Sequence, residues 1–519
     1  MKNIKLITTL ICLTFISKDL YSAPYTITLH HPDSINSQIP TIQITQQRAD
    51  ELLSKLLTVD PWEVKPDGSS LAWREAATLK TLVNMYEATD DIKYLEEVAR
   101  RGDKLLTHRD DRRGVVDGSG KSRPAWSMAL KYVVAEGQLK DVAGNPVIKI
   151  RSTPSAYNDS THVKVIPVAN NRDRFTLKVF NNHYKRYEEF TNLSLNQADE
   201  RFIEKIVNDP MSPYSAKAGT FTDKSNLIRV NVSGNTIPAS QTITLQSIPL
   251  AYMGYIGIIY TPMLRFAEFV KANPKLKSLV PAANRFIQAA EESYADASAR
   301  LWRNGPNNGE GYYLTCEQGE SFPADNVGAP INFLAMHTCA QLSLYRLTNK
   351  KEYLDRSEKM SRLLKNRLKH DPESNLYVWT YWYEPMTTTG WTPADNLSAN
   401  VKYFKGAYNI EDISHGVLDI AMVTAANRQG IVFNDEDVKR FTNTLLINVI
   451  TPDRKSVRRT VDGKGEYPPY FNALHGWLEL AAANPEVYHA IREAYNKKGE
   501  ENLAFSADLL KWERKLRKN

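Results

Sequence analysis

Residues 403–426 read YFKGAYNIEDISHGVLDIAMVTAA, and the stretch changes character half-way along. Its first part is polar and aromatic, carrying Tyr403, Lys405, Tyr408, Asn409, Glu411, Asp412 and His415. Its second part, Val417, Leu418, Ile420, Ala421, Val423 and Thr424, has the spacing of a helix that buries more than one face. Titratable groups crowded at the entrance of a buried helix are the leading candidate for chemistry.

Helical hairpins flank this stretch on both sides. In residues 70–106 the apolar residues Leu79, Leu82, Val83 and Tyr86, then Tyr94, Leu95, Val98 and Leu105, recur at helical spacing around a short linker, Thr89 to Asp91. The same grammar returns 259 residues later, where Leu344–Thr348 matches Met85–Thr89 and Tyr353-Leu354 matches Tyr94-Leu95. One hairpin cannot bury its apolar face alone, so a recurring hairpin implies stacked or ring-closed repeats. Further pairs are expected at 247–269 with 280–300, at 413–426 with 435–449, and at 474–483 with 485–495. Counting a damaged one near Trp126 gives five to six. Ile42 to Leu57 is an additional amphipathic segment.

Between Tyr132 and about Ser240 the pattern alternates apolar and polar residues and is rich in Val, Ile, Thr, Tyr and Phe, as half-buried strands require. The expected organisation is a leader at 1–23, a first helical part at 24–131, a β-rich insertion at 132–240 and the remaining helices at 241–519. The leader reading rests on Lys2 and Lys5, the apolar run Leu6–Ile16 and the small residues Ser22 and Ala23. It predicts a secreted or periplasmic protein with no transmembrane segment once the leader is removed. Without residues 1–23 the formal charge of +7 loses Lys2, Lys5, Lys18 and Asp19 and becomes +5, spread along the chain without a basic block. That argues against nucleic acid as a partner. Cys316 and Cys339 have no neighbouring His/Cys spacing of the zinc type; they fit one disulfide or two buried thiols equally.

Each first helix is preceded by aromatic and ionisable residues: Trp73-Arg74-Glu75, Arg123 with Trp126, Asp325-Asn326, Tyr408 to His415, and Tyr467 to His475. In a ring of hairpins these collars would meet at one mouth. In this hairpin grammar and these aromatic loops, roughly 50–130 and 245–500 resemble the α/α-toroid enzymes that act on polysaccharides, which include uronate lyases, epimerases and hydrolases. The resemblance implies a mainly α fold, an α/α toroid of five to six hairpins, with a polysaccharide or oligosaccharide as substrate.

Within that frame Asp412 and His415 lie three apart, and Glu411 and His415 four apart, on one helical face, so carboxylate and imidazole can share a proton. The plainer reading is a capped helix, with Asn409 or Asp412 bonding free N–H groups. The leading chemistry is cleavage or epimerisation of an acidic polysaccharide by proton abstraction. His415 or Tyr408 would move the proton, Glu411 or Asp412 would orient His415, and Arg74 with Asn409 would neutralise the uronate carboxylate. Trp73, Glu75, Asp325, Trp379, Trp382 and His475 are expected to line the sugar site, Trp73 stacking on a sugar face. His475-Gly476 repeats His415-Gly416, and there a packing role for Gly and His is equally natural. The sequence points to no particular cofactor. A divalent cation on Glu411, Asp412 and His415 would need Asp325 or Glu75 to complete its ligands. Two rivals remain: a glycoside hydrolase pairing Glu411 or Asp412 with Asp325, Glu75 or Glu384, and a helical-repeat protein that binds a glycan or protein without turnover.

Overall fold

The computed structural model describes residues 42, 44–57, 67–153, 156–208, 225–322 and 324–518, so the leader expected at 1–23 lies outside the described residues. Among the described residues the longer helices, in chain order, are α1 (Gln46–Leu57), α2 (Ala76–Thr89), α3 (Ile92–Thr107), α4 (Met253–Ala272), α5 (Val280–Leu301), α6 (Ile331–Thr348), α7 (Lys351–Lys365), α8 (Ile413–Gln429), α9 (Asp435–Asn443), α10 (Pro468–Ala482, a 3₁₀ helix), α11 (Glu486–Lys498) and α12 (Leu503–Lys518). Helix α2 packs on α4, α4 on α6, α6 on α8, α8 on α10, α10 on α12, and α12 back on α2. The succession returns to its starting point, as in an α/α toroid. Against the outside of these even-numbered helices lie α3, α5, α7, α9, α11 and α1.

The packing follows from the residues. An inner helix has neighbours on several sides, and in α4 Tyr255, Ile256, Ile259, Tyr260, Met263, Leu264, Phe266 and Ala267 are all buried. The outer α3 buries only Tyr94, Leu95, Val98, Ala99, Arg101, Gly102 and Leu105, while Lys93, Glu96 and Arg100 face solvent. The two matching hairpins also turn alike. Asp90 (φ 60°) and Asn349 (φ 58°) each close the first helix in the left-handed region. The Thr89 and Thr348 hydroxyls each donate to the carbonyl four residues back at 2.7 Å.

The hairpin expected near Trp126 does not form. Trp126 is buried in the helical core, its Nε1 donating to the Leu105 carbonyl at 3.2 Å, and Ser127 bridges to Ala251. The sixth inner–outer pair instead joins α1 to α12, segments about 450 positions apart.

Among the described residues, eight strands run from Ala135 to Ser247: β1 (Ala135–Lys140), β2 (Pro146–Ser152), β3 (Thr161–Pro167), β4 (Phe175–Asn181), β5 (Arg186–Leu193), β6 (Ile228–Val232), β7 (Gln241–Thr244) and β8 (Gln246–Ser247). They form two antiparallel sheets, ordered β6-β2-β1-β8 and β5-β4-β3-β7. Alternate residues such as Val163, Val165, Leu177 and Val179 enter an apolar cluster distinct from that of the helices. Cys316 and Cys339 are free thiols. No helix among the described residues is long and apolar enough to cross a membrane.

Candidate active site

The loop before α8 is held from both sides by backbone bonds. On one side the Tyr381 N–H donates to the Asn409 carbonyl at 3.0 Å and the Glu411 N–H to the Trp379 carbonyl at 3.0 Å. On the other, the Val461 N–H donates to the Glu411 carbonyl at 3.0 Å and the Ile413 N–H to the Arg459 carbonyl at 3.1 Å. Glu411 and Asp412 are therefore presented by a short strand clamped between two others. At its end Asp412 caps α8. One oxygen, Oδ1, accepts from the backbone N–H of Ser414 at 2.9 Å and of His415 at 3.1 Å.

The second Asp412 oxygen does more than cap. Oδ2 accepts from His415 Nδ1 at 2.6 Å, so the proton sits on Nδ1. His415 is 6 % exposed, and the Tyr381 ring stands edge-on to its imidazole at 5.1 Å and 83°. Burial alone would lower the His415 imidazolium and raise the Asp412 carboxyl. The attraction between the two outweighs burial in both, leaving His415 above its ordinary value and Asp412 below its own. The capped-helix reading and the proton-sharing reading thus describe two oxygens of the same carboxylate.

Glu411 is fully buried. Its Oε1 accepts the Asp412 N–H at 2.9 Å, and its carboxyl touches that of Asp419, also fully buried. Trp379 Nε1 donates to Asp419 Oδ2 at 2.8 Å. Asp419 escaped the sequence reading, which treated α8 beyond His415 as wholly apolar. The signal was there: an acid four residues after His415, in a helix otherwise buried.

The remaining expected residues scatter. Asp325 is a loop staple: its two oxygens accept from the N–H groups of Gly319, Ala399 and Asn400 and from the Ser398 hydroxyl, leaving nothing for a sugar or a metal. Glu75 turns outward to α3, where Arg101 holds it bidentately at 2.5 and 2.7 Å. Trp379 and Trp382 are core residues, each under 2 % exposed, and Tyr377 and Tyr383 are buried with them. Trp379 and Trp382 are therefore packing residues and do not line a sugar site. Glu384 pairs with Arg367 at 3.0 Å and is half exposed. Tyr408 is 48 % exposed with the Lys369 ammonium over its ring at 4.7 Å; the tyrosine against His415 is Tyr381. Asn409 contributes its carbonyl to the clamp.

His475 lies on α10 within a different network. Its Nδ1 bonds Asp508 Oδ2 at 2.6 Å, and Lys511, itself 2 % exposed, reaches Glu479 at 2.6 Å and Asp508 at 3.5 Å. This network ties α10 and α12 to Asn84 of α2 across the seam that closes the ring. Gly476 makes the approach of α8 possible: a Cβ there would meet Val417 Cγ2 at 2.1 Å.

At the entrance of α2, Trp73 and Arg74 line a shallow cavity of about 130 Å³ with Asp67, Ser69, Lys131 and Tyr132. Trp73 packs on Phe333 of the first turn of α6 at 6.0 Å, and the neighbouring Ile331 N–H donates to the Tyr381 carbonyl at 3.3 Å. A chain of contacts thus runs from the cavity to the tyrosine that stands against His415.

Ligand atoms of Glu411, Asp412 and His415 lie within 4.8 Å of one another. With Asp412 taken up by His415 and the helix N–H groups, and with Asp325 and Glu75 elsewhere, the trio forms a hydrogen-bonded dyad beside a buried acid. Asp325 and Glu75, the residues expected to complete a cation's ligands, are engaged by other partners.

No family model and no curated protein matches the chain. Solved structures do show similarity. An inactive variant of an α-1,6-mannanase of glycoside hydrolase family 76 from Salegentibacter sp. HEL1_6 is 11 % identical, with TM-score 0.33, over 50 % of this chain and 74 % of that one. A family 88 glycosyl hydrolase from Bacteroides vulgatus is 14 % identical, with TM-score 0.29, over 50 % and 74 %. A family 76 glycoside hydrolase from a bovine Bacteroides thetaiotaomicron strain is 8 % identical, with TM-score 0.32, over 74 % and 98 %.

Proposed function

We propose that this chain is an exported carbohydrate-active enzyme, a six-hairpin α/α toroid with a β-rich insertion, that abstracts a proton from a uronate-containing polysaccharide. One observation carries the reading: the Asp412 carboxylate holds His415 Nδ1 at 2.6 Å where α8 begins. A carboxylate on Nδ1 fixes the tautomer, orients the ring and stabilises the imidazolium once Nε2 has taken a proton.

The proton on the carbon α to a uronate carboxylate is acidic enough for such a base when the carboxylate is neutralised. Breaking that C–H bond passes the proton to His415 Nε2 and the electron pair toward the carboxylate. If the glycosidic oxygen at the β carbon then leaves, protonated as it goes, the product is an unsaturated uronate. If instead the carbon is reprotonated from its other face, the product is the epimer. Arg74 and Lys131 are the cations at the α2 cavity suited to the carboxylate, and Trp73 offers its indole to a sugar face. The acids expected to partner Glu411 or Asp412 in hydrolysis are each engaged elsewhere, Asp325 by loop N–H groups, Glu75 by Arg101 and Glu384 by Arg367.

The test is digestion of pectate, alginate and glycosaminoglycans, following unsaturated-uronate absorbance, new reducing ends and epimer content together. The proposal expects absorbance or epimer, lost in His415→Ala. New reducing ends without either would replace it by hydrolysis, and no change in any polymer would favour a binding protein.

A further inference from the structure

Glu411 sits on the clamped strand and Asp419 two turns into α8; neither exposes any surface, and their carboxyls touch. One oxygen of each has a donor: Oε1 of Glu411 takes the Asp412 N–H and Oδ2 of Asp419 takes Trp379 Nε1–H. The other two, Glu411 Oε2 and Asp419 Oδ1, find no donor among the described residues. The walls are Trp379, Trp477 and Gly416, where a Cβ would lie 3.4 Å from both indoles and 3.6 Å from Glu411 Cγ. The titratable groups facing the pair are Asp412, His415 and Tyr381; the only cation among them, His415, is already held by Asp412.

Two touching carboxylates in such a place cannot both remain ionised: each is costly to bury, and neither has a counter-ion of its own. A single proton between them removes one charge and gives both orphaned oxygens a partner. We propose that Glu411 and Asp419 share one proton as a buried acid–carboxylate pair, and that Asp419 thereby acts as a positioning residue for the Asp412–His415 dyad. The positioning role rests on the proton-transfer reading above; the shared proton does not.

Burial pushes both carboxyls up, Asp419 to about 7, and for Glu411 the charges of Asp419 and Asp412 add to the effect. The pair reaches the dyad by two routes. Glu411 Oε1 fixes the Asp412 backbone, and the Asp419 charge favours the protonated form of His415.

Amide variants separate the possibilities, because Glu411→Gln and Asp419→Asn each supply a permanent N–H where the proton is inferred and keep one negative charge. In infrared difference spectra at neutral pH, the wild type should show the carbonyl stretch of a neutral carboxylic acid that is missing from both variants. No such band in the wild type, or its persistence in both variants, overturns the shared proton. Either variant suffices if the other does not fold. Trp379→Phe, which removes only the donor to Asp419, should shift the frequency of the band, and an unmoved band counts against the pair.

For the positioning role, carbon-13 NMR of labelled histidines gives the His415 midpoint. It should be higher in Glu411→Gln, where the charge is confined to Asp419, than in Asp419→Asn, where it is confined to Glu411. Equal midpoints overturn the positioning role. Neither readout uses a substrate, so a failure to find turnover leaves both results standing and bears only on the proposed reaction.

Discussion

Replacing Asp412 by Asn keeps the shape of the side chain and a good helix cap, because Asn and Asp are equivalent at that position. What it removes is the charge on Oδ2, 2.6 Å from His415 Nδ1. A buried hydrogen bond to a charged group contributes about 1.5–3 kcal/mol. With an unfolding entropy near 2.1 cal/mol/K per residue, a chain of about 500 residues has roughly 1 kcal/mol/K in all, so the melting point should fall by about 1.5–3 °C.

The pH dependence is the sharper signature. Folding raises His415 above its ordinary 6.5, so its share of the stabilisation is full below 6.5 and fades as pH rises through the folded value. Folding lowers Asp412 below its ordinary 3.8, so its share is full above 3.8 and fades as pH falls through the folded value. The stability difference between wild type and Asp412→Asn should therefore peak between these two values and shrink on both sides. Chemical denaturation of the two proteins across that range measures it. A difference that is flat with pH, or absent, would show that the charge on Asp412 does not bind His415 and would refute the dyad.

The fold and the buried acid pair make further predictions. Gly476→Ala drives a Cβ into Val417 and should cost about 1–3 kcal/mol, largely recovered when Val417→Ala is added; a double-mutant denaturation cycle measures the coupling. Arg101→Leu leaves the buried Glu75 carboxylate without its partner and should cost about 3–5 kcal/mol in denaturant titration. Asp325→Ala should loosen the 319–326 and 396–400 loops, read as faster amide exchange there, without altering turnover per folded molecule. Because burial raises both Glu411 and Asp419 in the folded protein, the pair's contribution to stability should fall as pH rises above the ordinary carboxylate values, and Asp419→Asn should show a shallower fall.

Much of the helical architecture was legible because hairpins carry a local code. The match of Met85–Thr89 with Leu344–Thr348 reports a turn whose left-handed residue and back-bonded threonine recur in both copies. Ring closure was not legible, since α12 packs on α2 and α1 across almost the whole chain and nothing local links Leu503–Lys518 to Ala76–Thr89 or Gln46–Leu57. The site divided in the same way. Asp412 and His415 are neighbours in sequence, so helical spacing alone placed carboxylate beside imidazole. Asp325 and Glu75 have the right chemistry at the right kind of position, but direction is set by distant partners, Ala399 and Asn400 for one and Arg101 for the other. Asp419 was hidden by its apolar neighbours, although an acid on a helix buried on several faces must have a partner.

The most direct test of proton abstraction by His415 is the fate of deuterium placed on the carbon α to the carboxylate of the uronate substrate, followed by mass spectrometry as product forms. The account predicts loss of the label to solvent during turnover by the wild type and no loss with His415→Ala. Product that retains its deuterium, or label lost equally fast without the imidazole, would contradict it.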